Sequence, residues 1–266
     1  MSLRGLFIAA ATAAAFCAGA QEVERAPFIT TPPDVVASML RFAGTGPDDL
    51  VADLGSGDGR IVIAAAREFG ARGLGIELDA ALVEKSRDSA RAAGVAERVS
   101  FVRGNVLSAD ISKASVVTIY LLPGLINQLQ RRFLDELRPG TRIVSHAFTM
   151  VGWQADRSET VRIEPQGETR QGGSSTIFLW VVPAKARGTW TGGDLRLKIS
   201  QSFQEIDVEG TTAGKPLAGV RATLSGNDIA WEARGVRFRG RVAGDRIVGE
   251  LSRDGSASPV ELKKLP

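Results

Sequence analysis

Residues 51–61 read VADLGSGDGRI, and they constrain this chain more than any other stretch. A short apolar run meets Asp53. Glycines then fall at alternate positions, Gly55, Gly57 and Gly59, ahead of an apolar, alanine-rich segment. This is the order of a buried strand, a glycine loop and the first turn of a helix. Such a loop brings bare backbone against a ligand, because glycine adopts the left-handed conformations a tight turn demands. In open parallel sheets it lies beyond the carboxyl end of a strand, where ligands bind.

The surrounding sequence supplies the sheet. Thr31 is placed to N-cap a helix, with Pro32 in its first turn and Asp34 completing a capping box. Val36, Met39, Leu40 and Ala43 share one face of that helix. Strands are then expected over 50–54, 73–78, 99–102, 116–122 and 141–145, with helices over 59–69 and 80–93. A further helix carries the stripe Leu125, Leu129, Phe133 and Leu137. Strands separated by helices of this length make a parallel sheet covered on both faces. Two more strands, 160–163 and 175–182, have no strong helix between them and are expected to pair antiparallel at the sheet edge. Pro183 and the following AKARG read as a linker. From Trp190 the pattern is strand and turn, with LSGNDIAWE and VAGDRIVGE as similar hairpins turning on glycine. A small antiparallel sheet or half-barrel is the expected form. Arg237, Arg239 and Arg241 alternate in it and so share one face.

The glycine loop is selective about its ligand. No Gly-Lys-Ser/Thr closes it, which argues against a nucleoside triphosphate. The dinucleotide fingerprint is G-x-G-x-x-G, and here the third glycine comes one residue early. Asp53 and Asp58 would repel a pyrophosphate. They suit a ligand with an ammonium and a sulfonium, such as S-adenosylmethionine. Glu77, at the end of the second strand, can accept both hydroxyls of a ribose. Asn105, after the third strand, can hydrogen-bond an adenine edge or cap a turn.

DLGSGDG, GIELD, RGN and VVTIYLLP occur in that order, and the set resembles a class I, seven-strand S-adenosylmethionine-dependent methyltransferase over roughly residues 28–183. The lead FITTPPD, with DLGSGDGRIVIAAA and TIYLLP, is similar to the small mitochondrial-type protein lysine methyltransferases and their bacterial relatives. The resemblance implies an α/β fold, a doubly wound, mostly parallel seven-strand sheet, over 28–183. A small all-β C-terminal module over 184–266 follows it. The resemblance also implies that Asp53, Gly55, Gly57 and Glu77 bind S-adenosylmethionine, and Ser56, Asp58 and Asn105 are further candidates beside them. Thr31 and Pro32 would belong to a lead segment closing over it. Position 105 departs from the acidic residue common in that superfamily, so Asn105 can serve adenine without adding charge.

The fourth strand ends on Tyr120-Leu121-Leu122-Pro123, where an acceptor would meet the methyl group. The absence of Asp/Asn-Pro-Pro-Tyr disfavours a base amine or a glutamine amide. Cys17, the only cysteine, lies just ahead of Ala18-Gly19-Ala20, an A-x-A signal-peptide cleavage pattern, so a mature chain would lack it and a thiolate route to a pyrimidine carbon is excluded. One histidine makes no His-based metal cluster. What remains is direct in-line transfer by proximity and orientation, and the resemblance makes the acceptor a lysine of a protein substrate. A lysine amine, with an ordinary pKa of about 10.4, must first lose its proton. Tyr120 and Pro123 are the candidate catalytic residues. Tyr120 can orient the amine, and the apolar wall ending at Pro123 can favour its neutral form. Tyr120 can equally be a strand residue packing on the sheet. His146 is either a base or a structural histidine, and Trp153 lines either the pocket or the core.

Arg4, the apolar run from Leu6 to Phe16 and Ala18-Gly19-Ala20 have the layout of a secretory signal peptide over 1–20 or, uncleaved, of a membrane anchor. Export to the periplasm or anchoring in the membrane is therefore expected, with a substrate that can be membrane-associated. The net charge of +3 is too small to signal nucleic-acid binding, and none is expected. The excess lies from Ala184 onward, where 14 Lys/Arg face 10 Asp/Glu. Two alternatives stand beside the enzyme. One is an exported S-adenosylmethionine-binding protein with little catalysis, whose β module binds a partner. The other is an NAD-dependent oxidoreductase, disfavoured by the glycine spacing.

Overall fold

The computed structural model describes residues 29–165, 172–217, 220–233 and 235–266, so the signal-peptide expectation for 1–20 lies outside the described residues. The first sheet is built from β1 (Leu50–Leu54), β2 (Arg72–Glu77), β3 (Val99–Arg103), β4 (Val116–Ile119), β5 (Arg142–His146), β6 (Arg157–Ile163) and β7 (Gly173–Val181). Their order is β3-β2-β1-β4-β5-β7-β6. The first five run parallel, and β7 and β6 close the edge antiparallel. Strand order reverses between β1 and β4, which opens a crevice at their carboxyl ends.

Helices α1 (Pro33–Phe42), α2 (Arg60–Phe69) and α3 (Ala80–Ala92) cover one face, and α4 (Pro123–Glu136) covers the other. The central strands are apolar on both sides, and Val51, Ala52, Val116 and Val117 are fully buried. A doubly wound sheet needs that composition. One core gathers Val35, Met39, Leu40, Val62 and Ala65. The other gathers Ile126, Leu129, Phe133, Trp153 and Trp180.

Three local expectations are corrected. The capping box does not form. Pro32 occupies the N-cap with no side-chain cap, Thr31 Oγ1 lies 3.3 Å from His146 Nδ1, and Asp34 Oδ2 accepts from Glu164 N at 3.1 Å. Tertiary partners thus take both side chains away from the helix end. The strand expected over 116–122 stops at Ile119, because Pro123 opens α4 and holds Leu122 extended at its N-cap. On α4 the buried stripe runs through Ile126 rather than Leu125.

The second sheet comprises β8 (Gly188–Gly192), β9 (Leu195–Ser202), β10 (Glu205–Thr212), β11 (Lys215–Pro216), β12 (Arg221–Ser225), β13 (Asp228–Ala233), β14 (Val236–Ala243), β15 (Arg246–Arg253) and β16 (Ser256–Lys264). It is antiparallel, in the order β11-β10-β9-β8-β16-β15-β14-β13-β12. It curls until β10 and β12 come alongside, around Trp190, Trp231, Phe238, Ile247 and Leu262. Arg237, Arg239 and Arg241 are exposed on its outer face.

The stretch after Pro183 is not a free tether. Gln201 Oε1 accepts from Ala186 N at 2.7 Å and from Arg187 N at 3.0 Å, while its Nε2 donates to Ala184 O at 2.8 Å. The two sheets meet at further points. Ala184 N donates to Gly226 O at 2.8 Å, and a Cβ on Gly226 would lie 3.0 Å from Gly140 Cα.

Gly75, in the middle of β2, shows how tightly the site is packed. A Cβ there would lie 2.5 Å from Phe101 Cδ1 and 2.7 Å from Ser56 Oγ. Gly75→Ala is therefore expected to overpack the loop and lower stability by about 1–3 kcal/mol. Urea denaturation would show this as a lower midpoint with an unchanged slope.

Candidate active site

Gly55, Gly57 and Gly59 have φ of 77°, 54° and 79°. Side chains are doubly refused at two of them. A Cβ on Gly55 would lie 2.8 Å from Leu121 Cδ2, and one on Gly59 would lie 2.7 Å from Phe101. The loop is tied to β2 by Gly55 N and Ser56 N, which both donate to Ile76 O, at 2.9 and 3.0 Å. From α3, Ser86 Oγ donates to Gly57 O at 2.9 Å.

The loop forms one wall of a cleft of about 1160 Å³ at the carboxyl ends of the parallel strands. Thr31, Asp53, Gly55, Ser56, Gly57, Asp58, Glu77, Asn105, Tyr120 and Pro123 all line it. Pro32 does not. Sequence reasoning missed Arg60, which also lines the cleft. Its Nε and Nη2 grip Asp58 at 2.9 and 2.7 Å, and its Nη1 donates to Thr31 O at 2.9 Å. The signal available was a cation two residues beyond Asp58, close enough to use that carboxylate.

The carboxylates differ in state. Asp53 is buried, and that burial pushes its pKa up to about 7; the hydrogen bond from Thr118 Oγ1, at 2.7 Å, opposes the rise, and Glu77 and Asp58 add to it. Asp58 is held below the usual carboxylate range, chiefly by its hydrogen bonds from Arg60. It is therefore a neutralised charge, not the open one the sequence suggested. Glu77 accepts from Gly57 N at 2.9 Å and from Asp79 N at 3.0 Å, which fixes its carboxylate at the lip of β2. Asn105 uses its side-chain oxygen to cap a turn, accepting from Leu107 N at 2.9 Å, so its amide donors are what it has left for a ligand. Ser56 Oγ is buried without a partner in the chain.

On the opposite wall Tyr120 packs against His146, with ring centroids 4.0 Å apart, and against Phe148, at 6.2 Å. His146 is 3% exposed, and burial lowers its pKa to about 4. Both ring nitrogens are engaged, Nδ1 with Thr31 Oγ1 and Nε2 with Ser175 Oγ at 2.7 Å. It is a neutral structural histidine and not a base. Trp153 is a core residue, 1% exposed. Among the described residues no group of His, Cys, Asp and Glu is arranged to hold a metal.

A family model described as the ANTKMT methyltransferase domain matches residues 53–157. A protein-lysine N-methyltransferase of Saccharolobus islandicus is 37% identical over 161 residues, which cover 60% of this chain and 96% of that protein. The chain belongs to the class I S-adenosylmethionine-dependent methyltransferases related to the protein-lysine methyltransferases. A lysine N-methyltransferase of Xenopus laevis is 37% identical over 49% of this chain, and the match spans about half of that protein, 55%. A crystal structure described as an RNA methyltransferase from Salinibacter ruber, in complex with S-adenosyl-L-homocysteine, is 46% identical. The match has a TM-score of 0.52 and covers 57% of this chain and 93% of that one.

The cofactor of the methyltransferase is S-adenosylmethionine, and the cleft fits it. The positive-φ glycines leave a cradle that Cβ atoms would fill. The orphaned Ser56 hydroxyl awaits a polar partner. Asp53, whose charged form burial disfavours, gains most from a cationic ligand.

The raised Asp53 pKa has a definite sign. The folded chain holds a proton that the unfolded chain releases near pH 4, so stability of the ligand-free protein falls as pH rises from about 4 to about 7. Binding a cationic ligand reverses that preference and expels the proton. Cofactor affinity should therefore climb with pH up to about 7 and then level. Calorimetry in buffers of different ionisation enthalpy should detect proton release at pH 6, and Asp53→Asn should abolish it. Glu77→Ala removes a charged acceptor from the lip of the cleft. It is expected to weaken cofactor binding by about 1.5–3 kcal/mol, and an unchanged dissociation constant would refute a ribose role.

Proposed function

We propose that this methyltransferase N-methylates lysine side chains of a protein substrate by direct in-line transfer. The observation that carries the reading is the wall from Tyr120 to Gln128. It contributes Tyr120, Leu121, Leu122, Pro123, Gly124, Leu125 and Gln128 to the cleft and no charged group, whereas Asp53, Asp58, Glu77 and Asp79 all come from the other side. An uncharged wall favours the neutral amine over the ammonium, and its leucines suit the methylene stem of lysine. The names of the relatives support the same acceptor.

The cofactor, when bound, supplies an activated methyl group on a sulfonium. The chain's residues divide the remaining work. Asp53 and Ser56, with the backbone of Gly55 and Gly57, hold the amino-acid end, Glu77 the ribose and Asn105 the adenine edge. Asp58 acts through Arg60, which draws the Thr31 carbonyl over the cleft. Tyr120 orients the incoming amine, braced from behind by neutral His146. Pro123 fixes the start of α4 and so the apolar wall.

An exported or membrane-anchored location is part of the proposal. Ile29 rims the cleft and is 62% exposed. It follows Ala20 by roughly nine residues, which reach at most about 30 Å. Anchoring through 1–20 would therefore keep the cleft near the bilayer surface and favour membrane-associated substrates. No helix among the described residues is long and apolar enough to cross a membrane.

RNA is a second reading, favoured by the likeness to the Salinibacter ruber protein, described as an RNA methyltransferase. The test is to incubate labelled S-adenosylmethionine with soluble and membrane extracts, then treat with protease or nuclease. Protease-sensitive label, placed on lysine by mass spectrometry, is the expected result. Nuclease-sensitive label would replace the protein by RNA, and no label in either would leave a cofactor-binding protein. Tyr120→Phe should slow transfer about tenfold, the worth of one hydrogen bond to the reacting group. Cofactor affinity should stay unchanged, as calorimetry would check.

A further inference from the structure

The turn between β9 and β10 departs from its neighbours. Ser202 pairs with Glu205, so Phe203-Gln204 is a two-residue hairpin loop. Loops of this kind favour glycine or asparagine, because their backbone needs positive φ. Other turns of the module set Gly193, Gly226 and Gly244 at positive φ, or a small residue followed by glycine, Ala213-Gly214 and Asp254-Gly255. Phe203 takes a φ of 54° without glycine's freedom. A bulky side chain in that region is a true outlier, and such strain points to a role that the ring itself performs.

The ring lies flat on Trp153, with centroids 5.4 Å apart and planes 4° apart. Beside it Gln204 Nε2 donates to Gln154 O at 2.8 Å. These contacts cross from the β module to the loop after β5, residues 147–154. That loop carries Phe148, which stacks on Tyr120 with planes 19° apart. Its other side is held by α4, where Asn127 Oδ1 accepts from Val151 N and Gln130 Nε2 donates to Val151 O, both at 3.1 Å. The same helix begins at Pro123 on the acceptor wall. The match to the family model ends at residue 157, well short of Phe203, so this support is supplied from outside the matched segment.

We propose that Phe203 is a positioning residue for methyl transfer: through its ring the β module braces the 147–154 loop on which Tyr120 packs. The proposal rests on the methyl-transfer reading of the cleft. Its physical half, the brace, can be read without any transfer.

The test uses the full chain with Phe203→Gly, Phe203→Leu and Phe203→Tyr. Glycine suits the positive φ, so its loss of function reports the ring and not the backbone. Leucine keeps an apolar side chain without a stacking face and serves if the glycine variant does not fold. Hydrogen exchange by mass spectrometry should show amides of 147–153 exchanging about tenfold faster in the glycine and leucine variants, with residues 55–60 unchanged. Affinity for S-adenosylhomocysteine should match the wild type. Transfer of labelled methyl to extract protein should fall about tenfold. Phe203→Tyr should restore both. Unchanged exchange over 147–153 overturns the brace. Faster exchange with undiminished transfer overturns the positioning role. A wild type that transfers nothing removes the methyl-transfer reading and the positioning role with it, and faster exchange in the variants tells that failure apart from failure of the brace.

Discussion

Bare backbone at Gly55, Gly59 and Gly75 is the constraint on which the rest depends. It lets the glycine loop lie directly on β2, close enough for two loop amides to share the carbonyl of Ile76. That contact sets the distance between the end of β1, with Asp53, and the end of β2, with Glu77. The Gly57 amide then closes the gap by donating to Glu77 itself. Two sites that sequence separates become one rigid edge, and a nucleoside and its amino-acid tail can be held at once without a costly rearrangement of the loop.

Charge in the cleft is arranged by a similar economy. Four acidic residues on one wall would repel each other if all were open. Asp58 is neutralised by Arg60, Glu77 is held by backbone amides, Asp79 caps α3 by accepting from Ala81 N, and burial raises the pKa of Asp53 to about 7. Arg60 does more than neutralise. By also holding the Thr31 carbonyl it ties the lead segment to the loop, while the Thr31 hydroxyl ties it to His146, which packs on Tyr120. One residue of the lead thereby spans both halves of the cleft. Its hydroxyl is more useful there than at a helix end, which is why the capping box expected from the sequence is not made.

Strand and helix periodicity made the parallel sheet legible, since Leu50–Leu54 and Val116–Ile119 are buried on both faces and read as continuous apolar runs. Short-range chemistry misled where a distant partner took the side chain. Thr31 and Asp34 are spent on His146 and Glu164, and Asp58 on Arg60. Tyr120 was readable as a residue at the end of the fourth strand, but its packing against His146 and Phe148 was not, because those residues meet it only through sheet topology. The stretch after Pro183 read as a linker because AKARG is polar in composition. Nothing local announces that Gln201 will hold it.

The β module shows the same limit at larger scale. Its basic excess, 14 Lys/Arg against 10 Asp/Glu, remains, but three of its arginines are drawn into ion pairs that sequence spacing does not announce. Arg241 lies 3.1 Å from Asp228, Arg246 2.5 Å from Glu261 and Arg253 2.6 Å from Asp194. Exposed pairs of this kind contribute little to stability, and they leave an outer face of mixed charge. The contacts that join the module to the catalytic sheet are of another kind: an aromatic stack at Trp153, a close approach of Gly226 to Gly140, and a side-chain amide on the Gln154 carbonyl. Such contacts tolerate little displacement, because packed aromatic faces and glycine-to-glycine approaches lose their energy within fractions of an ångström. A module meant only to recognise a partner at the end of a tether would not need them. The stack and the Gln154 contact fall on the loop after β5 that carries Phe148, whereas Gly140 precedes β5, so the module is fixed to the first sheet at both ends of that strand.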